Sequence, residues 1–431
     1  MPDEKDASLE DIRQCMELLK EAGPGDRPAL YVKMGDIYND AGKMAKALVC
    51  YTQAAEAGLR EPAAVERVAR HLMNSGDLDV ADQLIRAATP IATEPLDKAR
   101  MRLCRAYLDW HSSRFEDGLK NSEASLIMLE TLNGPEPELT RLKGNAYSVM
   151  GVMLADTGEA TRSKEMTEKA LEQYKKIQDL KGMARMYNNL GMTCLEEGDY
   201  DKALAMFREG LEIHKKVTTD YGGGTIYNNI GHIHVIMGDF KEAERNFKEC
   251  LRECKAAAYM RSVHLAQRHL AEMFLHKREF VKARNWAEQA LKGYKELSDS
   301  PRVGESLCTL ARVHQAEGDL KGALALAEQA LPVAVKHRSF EVASAAHRTI
   351  GSILGEMGRL DDAERNLRQS VEAAVKMKDK GEEMKAKMEL AVVLKRKGDA
   401  AGAKVLAKEV RAFYSKWNSG HMMRRLDENG L

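Results

Sequence analysis

The sequence predicts an all-α chain, a solenoid of about ten stacked helical hairpins. Three observations carry that prediction. A short turn segment recurs at a fixed step of 40 residues, small residues flank it at constant offsets, and the composition suits helices. The 431 residues hold only 10 Pro and 6% aromatics against 31% charged residues, which argues against a β-sandwich or barrel. At 44% hydrophobic the chain can build a core and is not a disordered polymer.

The turn segments are AGKMAKAL, TGEATRSK, EGDYDKAL, MGDFKEAE, KREFVKAR, EGDLKGAL, MGRLDDAE and KGDAAGAK. Their second residues are Gly42, Gly158, Gly198, Gly238, Arg278, Gly318, Gly358 and Gly398, and from Gly158 onward every step is 40. Two degenerate copies, around Gly76 and Ser113, fill the earlier gap with steps of 34, 37 and 45. Seven residues before each turn stands Gly35, Gly151, Gly191, Gly231, Ala271, Ala311, Gly351 or Ala391. Five residues after most turns comes an alanine, such as Ala203, Ala243 or Ala283. A missing or minimal side chain lets a neighbouring helix approach closely. Apolar residues such as Leu204, Phe207 and Leu211 recur at three and four, as on a helix stripe. Gly followed by Asp at the turn reads as a helix stop and then a cap for the next helix. Each unit is therefore two antiparallel helices, and one hairpin cannot bury its apolar face alone, so copies stack.

Taken in order, residues 1–27 read as one extra helix and a Pro-Gly turn. Residues 28–132 read as three irregular repeats, 133–417 as seven regular ones, and 418–431 as a frayed tail. The proline-bearing stretches TPIATEPLD (89–97) and NGPEP (133–137) break helices between units. The glycine run 222–224 falls at an expected turn between units, and no Lys-Ser/Thr follows it as a phosphate-binding loop requires.

This residue set resembles the tetratricopeptide repeat, with small residues at its eighth, twentieth and twenty-seventh places, Gly at the fifteenth and an aromatic at the seventeenth. Tyr200, Phe240 and Phe280 hold the aromatic place. The period is 40 rather than 34, and such long units look like the Pins/LGN scaffolds, kinesin light chain and the bacterial Rap-type peptide sensors. The resemblance implies a right-handed superhelix whose first helices line a concave groove. By that register Arg185, Asn188, Asn189, Asn228, Asn229, His232, Arg268, His269, Glu272, Glu305, Thr309, Arg312, Gln315, Arg348 and Thr349 belong to the groove. Asn188 and Asn228 stand one unit apart and resemble the asparagine ladder with which long-unit families hold a peptide main chain. An amide offers both a donor and an acceptor, as a peptide backbone requires. Arg268, Arg312 and Arg348 could fork onto ligand carboxylates.

Other chemistry reads poorly. Lys+Arg and Asp+Glu are both 66, so the strong basic field of a general nucleic-acid binder is missing. The 7 Cys include no CxxC and fit a reducing, cytoplasmic setting; Cys250, at a packing place, reads as core filler. No apolar run is long enough for a membrane span, and residues 1–14 show no signal peptide. His232 with His234, and His264 with His269, are badly spaced for one ion, and no HExxH occurs. No Ser/His/Asp or Cys/His set carries a local signature. The expectation is a non-catalytic scaffold or adaptor without cofactor or metal. It binds an extended peptide segment of a protein partner, without nucleic acid or membrane insertion, and homo-oligomers are conceivable. The alternative is a regulatory sensor whose superhelix changes pitch on binding a peptide and releases a target protein.

Overall fold

The computed structural model describes residues 3–40, 43–133, 136–216, 223–256, 259–297, 299–337, 339–417 and 419–431. Gly42, Gly222 and part of 133–137, singled out above, lie outside them. The described residues are helical throughout and contain no strand.

The helices run in antiparallel pairs: α1 (Asp3–Glu21), α2 (Arg27–Asp40), α3 (Met44–Glu56), α4 (Pro62–Ser75), α5 (Leu78–Ala88), α6 (Pro95–His111), α7 (Phe115–Glu130), α8 (Glu136–Asp156) and α9 (Ala160–Lys176). The regular units follow as α10 (Leu180–Glu196), α11 (Tyr200–Lys215), α12 (Gly223–Met237), α13 (Phe240–Ala256), α14 (Met260–His276), α15 (Phe280–Glu296) and α16 (Ser300–Ala316). The last are α17 (Leu320–Glu328), α18 (Ala330–His337), α19 (Phe340–Glu356), α20 (Leu360–Met377), α21 (Lys380–Lys397), α22 (Ala400–Ser415) and α23 (Gly420–Glu428). α17 and α18 are one second helix broken at Gln329, because Pro332 has no N–H to return to Glu328. Contacts divide the chain into two compact units. The first holds residues 1–190, 208–223 and 252–259; the second holds 191–207, 224–251 and 260–431.

The turn chemistry is the one the repeats require. The turn residue is left-handed not only at Gly198 (φ 77°) and Gly398 (φ 96°) but also at Ser113 (φ 57°) and Arg278 (φ 59°), which stand in the glycine place. The helix stop is thus imposed by the hairpin even where the residue resists it. Asp319, Asp379 and Asp399 then cap the following helices, accepting from the backbone N–H of Gly322, Glu382 and Gly402.

Inside each hairpin the small residue of the first helix receives a large side chain from the second. A Cβ built on Gly191 would stand 2.5 Å from the Phe207 ring, and one on Gly351 would stand 2.6 Å from Leu367. Ala203, Phe207, Ala243, Phe247, Ala283 and Tyr294 are all fully buried at these seams. All seven cysteines are buried and none is in a disulfide.

The second unit has two features not expected from sequence. Its beginning meets its end: Tyr200 lies edge-on to Phe413 at 6.0 Å and 5.0 Å from the Trp417 ring. Residues 420–428, read as frayed, form a helix that buries Met422 and Leu426. Arg425 bonds Glu389 (2.7 Å) and Ser352 (3.1 Å), so α23 lies across the first helices α19 and α21. A tail of that composition reads as frayed because the partners of Arg425, Glu389 and Ser352, stand on helices far earlier in the chain.

Gly191→Leu should overpack the seam against Phe207 and cost about 1–3 kcal/mol. Amide exchange should quicken in α10 and α11 and stay unchanged in α2 and α3, because stacked units feel mainly their neighbours. Uniform loosening over the whole chain contradicts this.

Candidate functional site

The side chains assigned to the groove stand on the first helices of their hairpins. In the second unit they are not an open polar surface. Asn228, His269, Glu305, Thr309 and Thr349 are buried, and each is tied to a neighbour. The reason is the closure just described: where the stack meets itself, the first helices line an interior.

That interior is a network passing from helix to helix. Asn228 Nδ2 donates to Asn229 (3.2 Å), and its Oδ1 accepts from His269 Nδ1 on α14 (3.0 Å). The His232 ring stacks on His269 at 4.6 Å and 8°. Arg268 reaches Glu305 on α16 (3.1 Å) and Glu272 (3.5 Å), while Arg312 returns to Glu272 (3.4 Å). Arg348 meets Glu382 on α21 (3.3 Å), which also holds Lys385 (2.7 Å). Gln315 donates to Ser352 on α19 (3.0 Å). The arginine row expected to wait for ligand carboxylates is therefore already paired inside the protein. Glu272 and Glu305, which the sequence register assigns to the groove, supply these carboxylates together with Glu382, which it does not single out.

The electrostatics follow from enclosure. Burial favours the neutral imidazole and lowers His232 to about 4, with Lys385 adding to the effect. His269 falls well below its ordinary value through burial and the neighbouring His232. Burial pushes the Glu272 carboxyl up, but Arg268 and Arg312 outweigh it and hold the group at about 2.

Neutral imidazoles beside an ionised carboxylate are the donor set of a metal site, and His232, His269 and Glu272 each bring one donor atom to within 4.8 Å of the others. The ring geometry does not fit an ion. A metal nitrogen bond of about 2.0–2.1 Å must lie in the imidazole plane, and two nearly parallel rings point their lone pairs side by side. Arg268 also stands 3.4 Å from His269 Nε2.

The first unit carries a second network on α4, α6, α8 and α10. Glu66, 3% exposed, bonds Arg70 (2.9 Å), Arg100 (2.6 Å) and Arg141 (3.1 Å). Arg185 Nη2 donates to the Tyr174 hydroxyl at 2.7 Å, and that hydroxyl donates to Asn145 at 2.8 Å. Of the residues read from sequence, Arg185 is exposed, and Asn188 and Asn189 are half-buried on the same helix. Arg70 and Arg100 escaped the sequence reading because the early units depart from the 40-residue register that locates the face, and Arg141 because it precedes the first place that the register assigns to the groove in its unit.

Family models describing tetratricopeptide repeats match residues 28–57, 142–216 and 182–256, and a model of the MalT-like tetratricopeptide region matches 255–425. The chain is a tetratricopeptide-repeat protein. Solved structures with the same fold include a Rap protein complexed with competence and sporulation factor. It is 13% identical with a TM-score of 0.54, over 77% of this chain and 98% of that one. Another is the Rap conjugation gene regulator of plasmid pLS20 in complex with the Phr* peptide, 14% identical with a TM-score of 0.55, over 80% and 94%. No curated protein is similar enough to match the sequence. No helix among the described residues is long and apolar enough to cross a membrane. Among tetratricopeptide arrays, whose first helices commonly line a concave face, this one buries that face in its second unit.

The depressed imidazoles set a pH window. An unfolded histidine binds a proton near 6.5, whereas His232 binds one only near 4, so stability is complete above 6.5 and falls as the pH drops toward 4. Between pH 6.5 and 5 the loss from one such group is about 2 kcal/mol. Glu272 releases its own contribution only below the ordinary carboxylate value. The difference between the melting-temperature profiles of wild type and His232→Gln should open over pH 6.5–5. Parallel profiles there refute the neutral stack.

Proposed function

We propose that the chain is a non-catalytic scaffold that holds an extended peptide segment of a partner protein against its first-helix face. The contacts would be Arg185, Asn188, Asn189, Asn228, Asn229, His232, Arg268, Glu272, Arg312 and Arg348. One observation carries the reading: the first helix α10 offers Arg185, Asn188 and Asn189 with solvent access. Amides and guanidinium groups together suit a peptide main chain and its acidic side chains. Support also comes from the two Rap structures of this fold, whose descriptions name a bound factor and a bound peptide.

A second reading, a peptide sensor, draws on the closed second unit. Its arginines are ion-paired with glutamates, and α23 adds Arg425 to the same set through Glu389. A ligand entering there exchanges internal Arg–Glu pairs for its own contacts, and the cost is met only if the unit changes shape.

The test is recovery of the partner from native cells, with binding then measured for wild type, Asn188→Ala/Asn189→Ala and Glu168→Ala. Glu168 is exposed on α9, a second helix. Loss of two to four hydrogen bonds at about 0.5–1.5 kcal/mol each should weaken the asparagine variant about tenfold to a few hundredfold. Equal binding by both variants refutes the first-helix face. Adding the bound peptide to a captured target separates the readings, since a scaffold keeps its target and a sensor releases it.

A further inference from the structure

On the first helices of the second unit Arg268, Arg312 and Arg348 are each met by a glutamate. Four arginines of the first unit are met less evenly. Arg70, Arg100, Arg141 and Arg185 stand on four consecutive first helices, α4, α6, α8 and α10. Three carboxylates answer them: Glu66, Glu138 and Asp97. Two of these serve Arg100 alone, Glu138 at 2.5 Å and Asp97 at 3.4 Å. Glu66 is then shared by three guanidinium groups, and Arg70 and Arg141 meet at the same oxygen, at 2.9 and 3.1 Å. Arg185 forms no ion pair among the described residues; Asp179, which influences it from the start of α10, already accepts from the Gly182 N–H.

The unmatched cations are held by aromatic groups. The Arg70 guanidinium lies over the Tyr107 ring at 4.9 Å. That of Arg185 lies over Tyr174 at 5.5 Å and is fixed by the hydroxyl. A ring face restrains a guanidinium without neutralising it, so its remaining N–H donors stay available. Arg70 and Arg185 also repel each other, and an anion bound beside them would add to the relief that Glu66 gives Arg70. A further donor waits at the same place: Asn145 is 2% exposed, its Oδ1 takes the Tyr174 hydroxyl, and its buried Nδ2 has no partner. A buried donor without a partner is costly, and a bound acceptor removes that cost. Arg70, Arg141 and Arg185 keep solvent access, whereas Glu66 and Arg100 are buried.

We propose that this face of the first unit is an anionic subsite in which Arg70, Arg141 and Arg185 take a carboxylate of an acidic side chain on the bound peptide. The proposal rests on the peptide reading above and adds the chemistry of the ligand. It also separates the two units, since Arg268, Arg312 and Arg348 of the second are each paired with a glutamate.

The probe is a fluorescein-labelled peptide of alternating alanine and glutamate, set against its alanine–glutamine counterpart, by anisotropy at low salt with the full chain. Wild type should bind the acidic peptide and not the neutral one, with affinity falling as salt rises. Arg185→Gln and Arg141→Gln should each weaken binding at least fivefold, Arg185→Lys should restore part of it, and Lys164→Gln on α9 should change nothing. Arg185 is exposed and bonds only one side chain, so an unchanged melting temperature shows that the variant folds. Equal binding of the two peptides, or an Arg185→Gln variant that binds as wild type, overturns the proposal. Inorganic phosphate that binds as tightly as the peptide and displaces it overturns the peptide as ligand and assigns the site to a free anion. An intact effect of Asn188→Ala/Asn189→Ala on the native partner with no effect of Arg185→Gln sinks the subsite alone. The reverse pattern sinks the main-chain grip alone.

Discussion

The close approach of two helices inside each hairpin governs the rest of this molecule. Gly191 against Phe207 and Gly351 against Leu367 leave no room for a further carbon. With the separation fixed there, each second helix can place its other side against the next first helix, and the same spacing is handed along the array. The left-handed turn completes the constraint, strongly enough that Ser113 and Arg278 adopt a conformation glycine takes at lower cost. A single hairpin gains little from this geometry, and the energy lies in its repetition.

Repetition with a constant offset also produces curvature, and curvature decides the character of the first-helix face. In the second unit the bend carries Tyr200 to Phe413 and Trp417, and the face becomes an interior. Charges placed in an interior must be paired and hydrogen-bonded, and Arg268, Arg312 and Arg348 are each met by a glutamate from the same or an adjacent first helix. The histidines respond to the same enclosure by giving up their protons. In the first unit the corresponding helices keep Arg141 and Arg185 in contact with solvent, and the charges there are left unequal. Two faces built from the same kind of helix thus offer different chemistry, one whose arginines are each met by a glutamate and one whose arginines share a single buried glutamate.

The repeat pattern made the helices, their pairing, the turns and most seams readable from residues alone, because each depends on neighbours within one unit. The left-handed turns, the aspartate caps and the small residues at helix crossings are of this kind. Asn228 shows where such reading ends. Its register puts it on a first helix, but its burial against His269 depends on the next hairpin and on the closure of the unit. The glutamates opposite the arginine row are likewise plain in the sequence, yet which arginine each one meets is fixed by how successive helices are offset.

What the sequence determined by itself is the local rule, a helical hairpin repeated with glycine, aspartate and alanine at set places, since backbone conformation and side-chain volume act within about 40 residues. Tertiary structure decided the sum of those steps. It brought residue 200 beside residues 413 and 417, laid residues 420–428 across α19 and α21, and left three arginines of the first unit converging with too few carboxylates. Small offsets accumulate over many units, and no single unit encodes where the accumulation ends.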